Sequence, residues 1–171
     1  MLFAELAPTQ AIVFLYQFEQ LGIKTRRTSS DVAASLRARW KVEDRSKLLQ
    51  EATFMFGLTH VIYTTSGYFD HAFEPGSFAI EAEIFERAVA LYADALPTNP
   101  FSLDVAGEVL ASRKILGLPP TDATRALTKN RIDRQAPDGS WGRKQLLHNV
   151  HATAVILHAL LDFPKQLHTH R

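Results

Sequence analysis

The sequence contains no cysteine, and this absence excludes several kinds of chemistry. Disulfide bonds cannot form, and neither a catalytic thiolate nor a zinc site with thiolate ligands is possible. Long apolar runs are also missing: none reaches about 18 residues, and no basic segment followed by an apolar one opens the chain. The sequence therefore predicts a cytoplasmic protein with no membrane span.

Charge of one sign is not in excess, because 19 basic side chains face 18 acidic ones for a net charge of +1. The total gives no indication of nucleic-acid binding. Locally, residues 24–45 and 113–144 are mainly basic, and residues 70–108 are mainly acidic. These blocks predict either complementary patches that steer a protein partner or a second copy of the chain, or solvated outer helices.

Strand signals are nearly absent, and helix signals recur along the chain. With 171 residues, 46% of them hydrophobic, the chain is long enough to form one domain, residues 1–171, around a real core. Ser30, Asp44, Ser77 and Thr121 are the predicted N-caps, and Gly57 is predicted to mark a kink or a break. About seven helices are expected, at residues 8–21, 30–40, 45–63, 78–96, 100–117, 122–134 and from Trp141 to Pro164.

Apolar helices alternate with charged ones. Helices 8–21, 45–63 and 146–163 are apolar on most faces, whereas helices 78–96 and 122–134 are amphipathic. Alternation of this kind, with short loops, is typical of inner and outer layers of antiparallel helices. We therefore predict an all-α fold with an inner and an outer layer.

The most informative stretch reads QAPDGSWG, at residues 135–142. In Pro137-Asp138-Gly139, proline presets φ, aspartate can bond the backbone ahead of it, and glycine takes the positive φ. Gln135 and Trp141 flank this turn with an amide and an indole N–H. These two groups can tie the end of one helix to the start of the next.

This turn, followed by a helix that contains His151-Ala-Thr-Ala-Val, resembles the repeat turn of terpenoid cyclases and protein prenyltransferase β subunits. The resemblance covers about residues 100–163. Within this range, the sequence segment that starts at Asp104 is loosely similar to the segment that starts at His151. It implies a partial α/α toroid with a cavity near the N-terminal ends of the inner helices. The cyclases' Asp-x-Asp-Asp run is missing, so the resemblance implies no terpenoid activity.

Three predicted inner helices carry chemistry-bearing side chains. His60 is embedded in apolar residues, Asp104 lies four residues before Glu108, and His148 lies three before His151, so each pair shares a helix face. His60, His148, His151 and Asp104 could hold Zn²⁺, Fe²⁺ or Mn²⁺. Alternatively, His60, His151 and Glu108 act as acid–base groups without a metal, or each histidine only fixes helix packing.

Aromatic residues are densest in the segment after Tyr63, where the helical pattern is weakest. The segment is predicted either to form an apolar ligand pocket with glycine hinges or only to fill the core. The pocket would be lined by Tyr63, Tyr68 and Phe69.

Together these features predict a small-molecule-processing enzyme with an apolar cavity between inner helices, which uses histidines for acid–base chemistry or metal binding. Isomerisation, cyclisation, elimination and hydrolysis remain open as reaction types. Phosphate-binding glycine loops, a nucleophile elbow and a His-Glu-x-x-His motif are absent. The alternative is a non-catalytic helical module that binds a protein partner or forms a homodimer.

Overall fold

The computed structural model describes residues 7–68, 70, 73, 76–95, 102–141 and 146–161, except for the side chains of residues 146–149. Within these ranges the chain is all-helical and forms no strand, which confirms the predicted all-α class. The helices are α1 (Pro8–Gln20), α2 (Ser29–Val42), α3 (Arg45–Gln50), α4 (Ala52–Thr65), α5 (Ala79–Asp94), α6 (Ser102–Ile115), α7 (Asp122–Ile132) and α8 (Leu146–Leu160).

The helices contact one another in a simple order. Helix α1 contacts α4, α4 contacts α6, and α6 contacts α8, so these four helices form a continuous row. Helices α2, α3, α5 and α7 pack against this row and against one another. None of the helices in the described ranges is long and apolar enough to cross a membrane.

Helix starts agree with the sequence at two caps and differ at two. Asp44 and Thr121 accept hydrogen bonds from backbone N–H groups at the starts of α3 and α7, as predicted. The prediction of Ser30 as the cap of α2 is wrong, because Thr28 caps that helix in a reciprocal capping box. No side chain caps α5, for which the sequence predicts Ser77.

The predicted helix 45–63 is two helices, and the break lies at Glu51, where ψ is 106°. The prediction that Gly57 marks a kink or break is therefore wrong. Gly57 lies inside α4, where an added Cβ would stand 3.0 Å from Leu36 Cδ1 and 3.2 Å from Pro8 Cβ. This glycine lets α1 and α2 approach α4 closely.

A second glycine brings the two helices of the candidate site together. A Cβ added at Gly107 of α6 would stand 3.1 Å from Val155 Cγ2 and 3.1 Å from Ile156 Cγ1 of α8. Because Gly107 precedes Glu108, this close crossing holds Glu108 within reach of α8.

The turn at residues 135–141 has internal hydrogen bonds, and the one to Asp138 is as predicted. Gly139 has a φ of +82°, and the Ser140 N–H donates to Asp138 Oδ1 at 3.0 Å. Gln135 Nε2 donates to the Gly139 carbonyl at 2.8 Å, so the Gln135 side chain bridges the two ends of the turn. The positive φ of Gly139 and the backbone bond of Asp138 are confirmed, whereas Gln135 bonds within the turn and does not join the two helices as predicted.

Trp141 joins two helices, as its position in the turn predicts. Its indole Nε1 donates to the Arg131 carbonyl of α7 at 2.6 Å, and its backbone N–H donates to Thr153 Oγ1 of α8 at 3.0 Å. The side chain is buried in a small cluster with residues of α8. Trp141 therefore fixes the position of α8 relative to α7.

The basic and acidic blocks of the sequence form ion pairs with each other within the chain. The acidic helix α5 is paired with basic side chains from α2, the start of α3 and α6, so part of the sequence asymmetry is neutralised internally. The pairs are Arg37–Glu81, Arg45–Glu83 and Arg113–Glu86.

Candidate acid-base site

Glu108 is the centre of the candidate site. It lies on α6, and no part of the residue is exposed to solvent. The Thr59 hydroxyl of α4 donates a hydrogen bond to Glu108 Oε2. A buried carboxylate is costly unless donors or cations surround it, so its neighbours decide what this group can do.

His60 approaches Glu108 from α4. Its Nδ1 lies 2.9 Å from the Phe56 carbonyl oxygen and 3.5 Å from Glu108 Oε2. Since a carbonyl oxygen only accepts, this contact assigns a proton to Nδ1 and leaves Nε2 as the lone-pair nitrogen of the neutral ring. The His60 side chain is 17% exposed, so it stands at the margin of the core.

His151 approaches the other carboxylate oxygen from α8. Its Nε2 lies 3.3 Å from Glu108 Oε1, and its side chain is 51% exposed. The Glu108 carboxylate beside Nε2 raises the pKa of His151, the charge of Asp104 adds to this rise, and partial burial opposes it. His151 is therefore the solvent-facing member of the site and holds its proton more tightly than an isolated histidine.

Tyr63 supports the site from inside the core. Its hydroxyl donates to the backbone carbonyl of Glu108 at 3.1 Å, and its ring centroid lies 5.5 Å from that of His60. Burial, followed by the charge of Glu108, holds the pKa of the Tyr63 phenol well above its usual value. The phenol therefore stays protonated and acts as a fixed donor.

The other predicted pocket residues lie elsewhere or outside the described ranges. Tyr68 has a positive φ of 56°, and its ring meets Tyr16 of α1 edge-on with centroids 6.0 Å apart. Phe69 lies outside the described residues. Of the two predicted pocket residues that the structure describes, Tyr63 lies beside His60 and Tyr68 lies against α1.

The predicted metal ligands are only partly gathered. Asp104 is buried one turn before Glu108, and its charge acts on His151, but the His148 side chain lies outside the described part of the chain. Within that part, no group of three or more histidine or acidic side chains is arranged to hold a metal ion. A divalent metal at this site stays a prediction.

Sequence reasoning missed two members of the site. Thr59 supplies a hydroxyl to Glu108, and the Phe56 carbonyl sets the proton of His60. A threonine beside a histidine in an otherwise apolar helix is a signal that could have identified the first. Nothing in a sequence indicates which backbone carbonyl will meet an imidazole.

Three helices thus place a carboxylate between two imidazoles, with one imidazole facing water. A carboxylate behind an imidazole orients the ring and stabilises its charged form, which suits the pair for proton transfer.

Comparison with known proteins found no family model, no curated protein and no solved structure that matches the chain.

Proposed function

We propose that this protein is a small-molecule-processing enzyme in which His151 and Glu108 transfer protons, with His60 as a second imidazole at the same carboxylate. One observation carries the proposal: buried Glu108 lies within 3.5 Å of His60 Nδ1 and within 3.3 Å of His151 Nε2. Purely structural histidines need only one backbone acceptor each. A shared buried carboxylate is the more specific arrangement, and perturbed ionisable groups cluster at functional sites.

The chemistry follows from which ring nitrogens are engaged. Glu108 faces Nε2 of His151, so Nδ1 is the nitrogen left to exchange a proton with a ligand. The imidazolium of His151 donates that proton to a ligand oxygen or nitrogen, and the neutral ring then accepts one from a ligand C–H, an O–H or water. Isomerisation, cyclisation, elimination and hydrolysis each need such a donor and acceptor.

We also propose that the row α1, α4, α6 and α8 forms part of an α/α toroid with an apolar ligand cavity. The sequence of contacts from α1 to α4, α6 and α8 supports this arrangement. The Trp141 turn supports it as well, because Trp141 bonds to both α7 and α8. Apolar walls around a few polar groups are typical of small-molecule sites.

A ligand screen tests the proposal. With ring-labelled histidines, apolar small molecules from a metabolite library should shift the His151 and His60 NMR signals, and positive compounds should be consumed by the wild-type protein. His151→Ala should abolish both effects, whereas His158→Ala, at an exposed position of the same helix, should abolish neither. If no compound shifts either ring, or if His151→Ala processes the compounds as fast as wild type, the enzyme proposal is wrong.

Metal content is measured on the same samples, purified without a histidine tag. About one equivalent of zinc, iron or manganese, lost in both His60→Ala and His151→Ala, would assign the two imidazoles to a metal. Metal retained by both variants would exclude these residues as its ligands.

The second candidate function is a binding or oligomerisation module, which exposed apolar residues favour. Helices α1 and α8 end the row, and each exposes large apolar side chains in the described ranges: Phe14, Phe18 and Leu21 on or next to α1, and Val150, Leu157 and Leu161 on or next to α8. Light scattering distinguishes the candidates, because a dimer that Leu157→Lys converts to a monomer would favour the module.

A further inference from the structure

Helix α8 depends mainly on one neighbour for its position. Among the described helices, α6 is the one against which α8 packs extensively, whereas α4 and α6 each pack against several helices. The crossing is close, because a Cβ added at Gly107 would stand 3.1 Å from Val155 Cγ2 and from Ile156 Cγ1. Separation of α8 from α6 would therefore break one helix–helix interface and leave the packing among α1 to α7 in place.

The apolar side chains at this interface form a cluster apart from the main core. Within the described residues, Ala159 is the one residue of α8 that belongs to the main core. Trp141 is tied to α8, because its N–H donates to Thr153 Oγ1 at 3.0 Å and its carbonyl accepts from that hydroxyl at 3.3 Å. A segment with its own apolar cluster is able to open as a cooperative unit, below the free energy of global unfolding. The separate cluster consists of Trp141, Ala152, Val155 and Ile156, with Leu160 partly buried against it.

Polar contacts at the protein surface add to the attachment of α8. His151 Nε2, on a half-exposed ring, lies 3.3 Å from Glu108 Oε1. Lys114 Nζ donates to the Leu161 carbonyl at 2.7 Å in an exposed position, and the Trp141 indole donates to α7. Water can satisfy these groups once α8 has moved, so opening leaves no donor without an acceptor.

Helix α8 also covers the residue at the centre of the candidate site. Glu108 exposes no surface, and the His151 ring stands between its Oε1 and solvent. The other oxygen, Oε2, is covered from α4 by the Thr59 hydroxyl. While α8 is in place, a ligand can contact the His151 ring but not the carboxylate behind it.

We propose that α8 and Trp141 form a flap, which opens away from α6 as one unit while α1 to α7 stay folded and exposes Glu108 to solvent and ligands. The movement determines whether a ligand can reach Glu108. It does not depend on the proposed enzymatic function, because the same opening would occur in a protein without catalytic activity.

Single cysteine reporters test the proposal, since the chain has no cysteine of its own. Ala152→Cys places a thiol under α8, and Ala88→Cys, the matched control, places one on α5 in the main core; both alanines have an exposed fraction of 0%. Under native conditions, a thiol reagent should label Ala152→Cys at least about tenfold faster than Ala88→Cys, because the flap opens more often than the whole protein unfolds. Urea should accelerate the labelling of Ala152→Cys less steeply, because opening one helix exposes less surface than unfolding.

Equal labelling rates with equal urea dependences would show that α8 separates only when the whole protein unfolds, and they would overturn the proposal. Hydrogen exchange of the wild-type protein decides the question if Ala152→Cys does not fold. The amides of residues 152–159 in α8 should then exchange together and with a lower opening free energy than those of residues 58–62 in α4. Protection of α8 that equals the protection of α4 would contradict the flap.

Carboxyl modification of the wild type tests whether the opening exposes Glu108. With a water-soluble carbodiimide and glycinamide, followed by peptide mass spectrometry, Glu108 should react at least about tenfold faster than Glu81, an equally buried glutamate on α5. Modification of Glu108 no faster than that of Glu81 would show that the carboxylate stays covered, and it would overturn the proposal. None of these readouts requires a substrate, so failure of the flap and failure of the enzyme proposal are distinguishable.

Discussion

Glu108 shows how one side chain makes a set of scattered residues into a site. Its two oxygens are approached by different helices: Thr59 and His60 of α4 on Oε2, and His151 of α8 on Oε1. Without Glu108, the two imidazoles would have no group in common. The acid is therefore the residue on which the positions of the others depend.

Thr59→Val tests whether Glu108 depends on its hydroxyl donor. The substitution conserves shape but leaves a buried carboxylate oxygen without that hydrogen bond, so the free energy of unfolding should fall by about 1–3 kcal/mol. Denaturant unfolding measures this loss.

Thr65→Val is the matched control, because Thr65 lies on the same helix but its hydroxyl donates only to the Val61 carbonyl at an exposed position. Its effect should stay within about 0.5 kcal/mol. Equal losses in the two variants would contradict a special role for the Thr59 contact.

At the residue scale, the sequence predicted the three central side chains because helical periodicity places them on inner faces. His60, Glu108 and His151 each lie in a predicted helix that consists mainly of apolar residues, and such helices tend to pack together. The periodicity does not give the rotation of one helix against another. It therefore could not indicate that Tyr63 would bond the backbone of Glu108 or that Tyr68 would turn towards α1.

At the scale of elements, the turn at residues 135–141, which follows α7, is the feature that the sequence specified best. Proline, aspartate and glycine act locally, so their backbone preferences are readable without knowledge of the rest of the chain. Trp141 then converts this local turn into a tertiary contact through bonds to Arg131 and Thr153.

Trp141→Ala should lower the free energy of unfolding by about 3–5 kcal/mol, because it removes a buried aromatic ring and a hydrogen bond to α7. Trp141→Phe keeps most of the ring and loses the indole N–H, so it should lose clearly less. Calorimetry measures both. An unchanged Tm in the alanine variant would mean that the turn does not hold α8 in place.

Gly107→Val should separate α6 from α8. The added side chain meets Val155 and Ile156, which already lie within 3.1 Å of an ideal Cβ, so we expect a destabilisation of about 1–3 kcal/mol or more. The same shift should move His151 away from Glu108 and bring its pKa back towards that of an isolated histidine.

The control for Gly107→Val is Ala154→Val on the exposed face of α8, which should change stability by no more than about 0.5 kcal/mol. If Gly107→Val is as mild as this control, the crossing of α6 and α8 has more room than the structure shows.

At the scale of the whole molecule, composition and periodicity predicted the all-α class but not where every helix breaks. The break between α3 and α4 falls at Glu51, whose carboxylate pairs with Arg39 of α2 at 2.9 Å. That ion pair joins residues from different helices, so no local pattern signals it. The prediction of a kink at Gly57 was wrong for the same reason. This glycine lets neighbouring helices approach closely, and the contact with them is not visible in the local sequence.

Pairing of the charge blocks is a further whole-molecule property that the sequence left open. The acidic helix α5 forms ion pairs with arginines of α2, α3 and α6, so these charges join helices of the same chain. Exposed apolar side chains remain on or next to α1 and α8, the two ends of the row.

The central claim is that Glu108 couples His151 to a buried acid, and the titration of the His151 ring by NMR tests it most directly. The raised pKa means that folding favours the protonated ring. The stability gained from the contact is therefore fully present below the unfolded value of about 6.5 and is lost as the pH rises through the higher folded value. In the wild type, the His151 pKa should lie above the ordinary histidine value of about 6.5, and Glu108→Gln should lower it while the fold is kept. A His151 pKa at the ordinary value that Glu108→Gln leaves unchanged would contradict the coupling, and with it the proposed acid–base site.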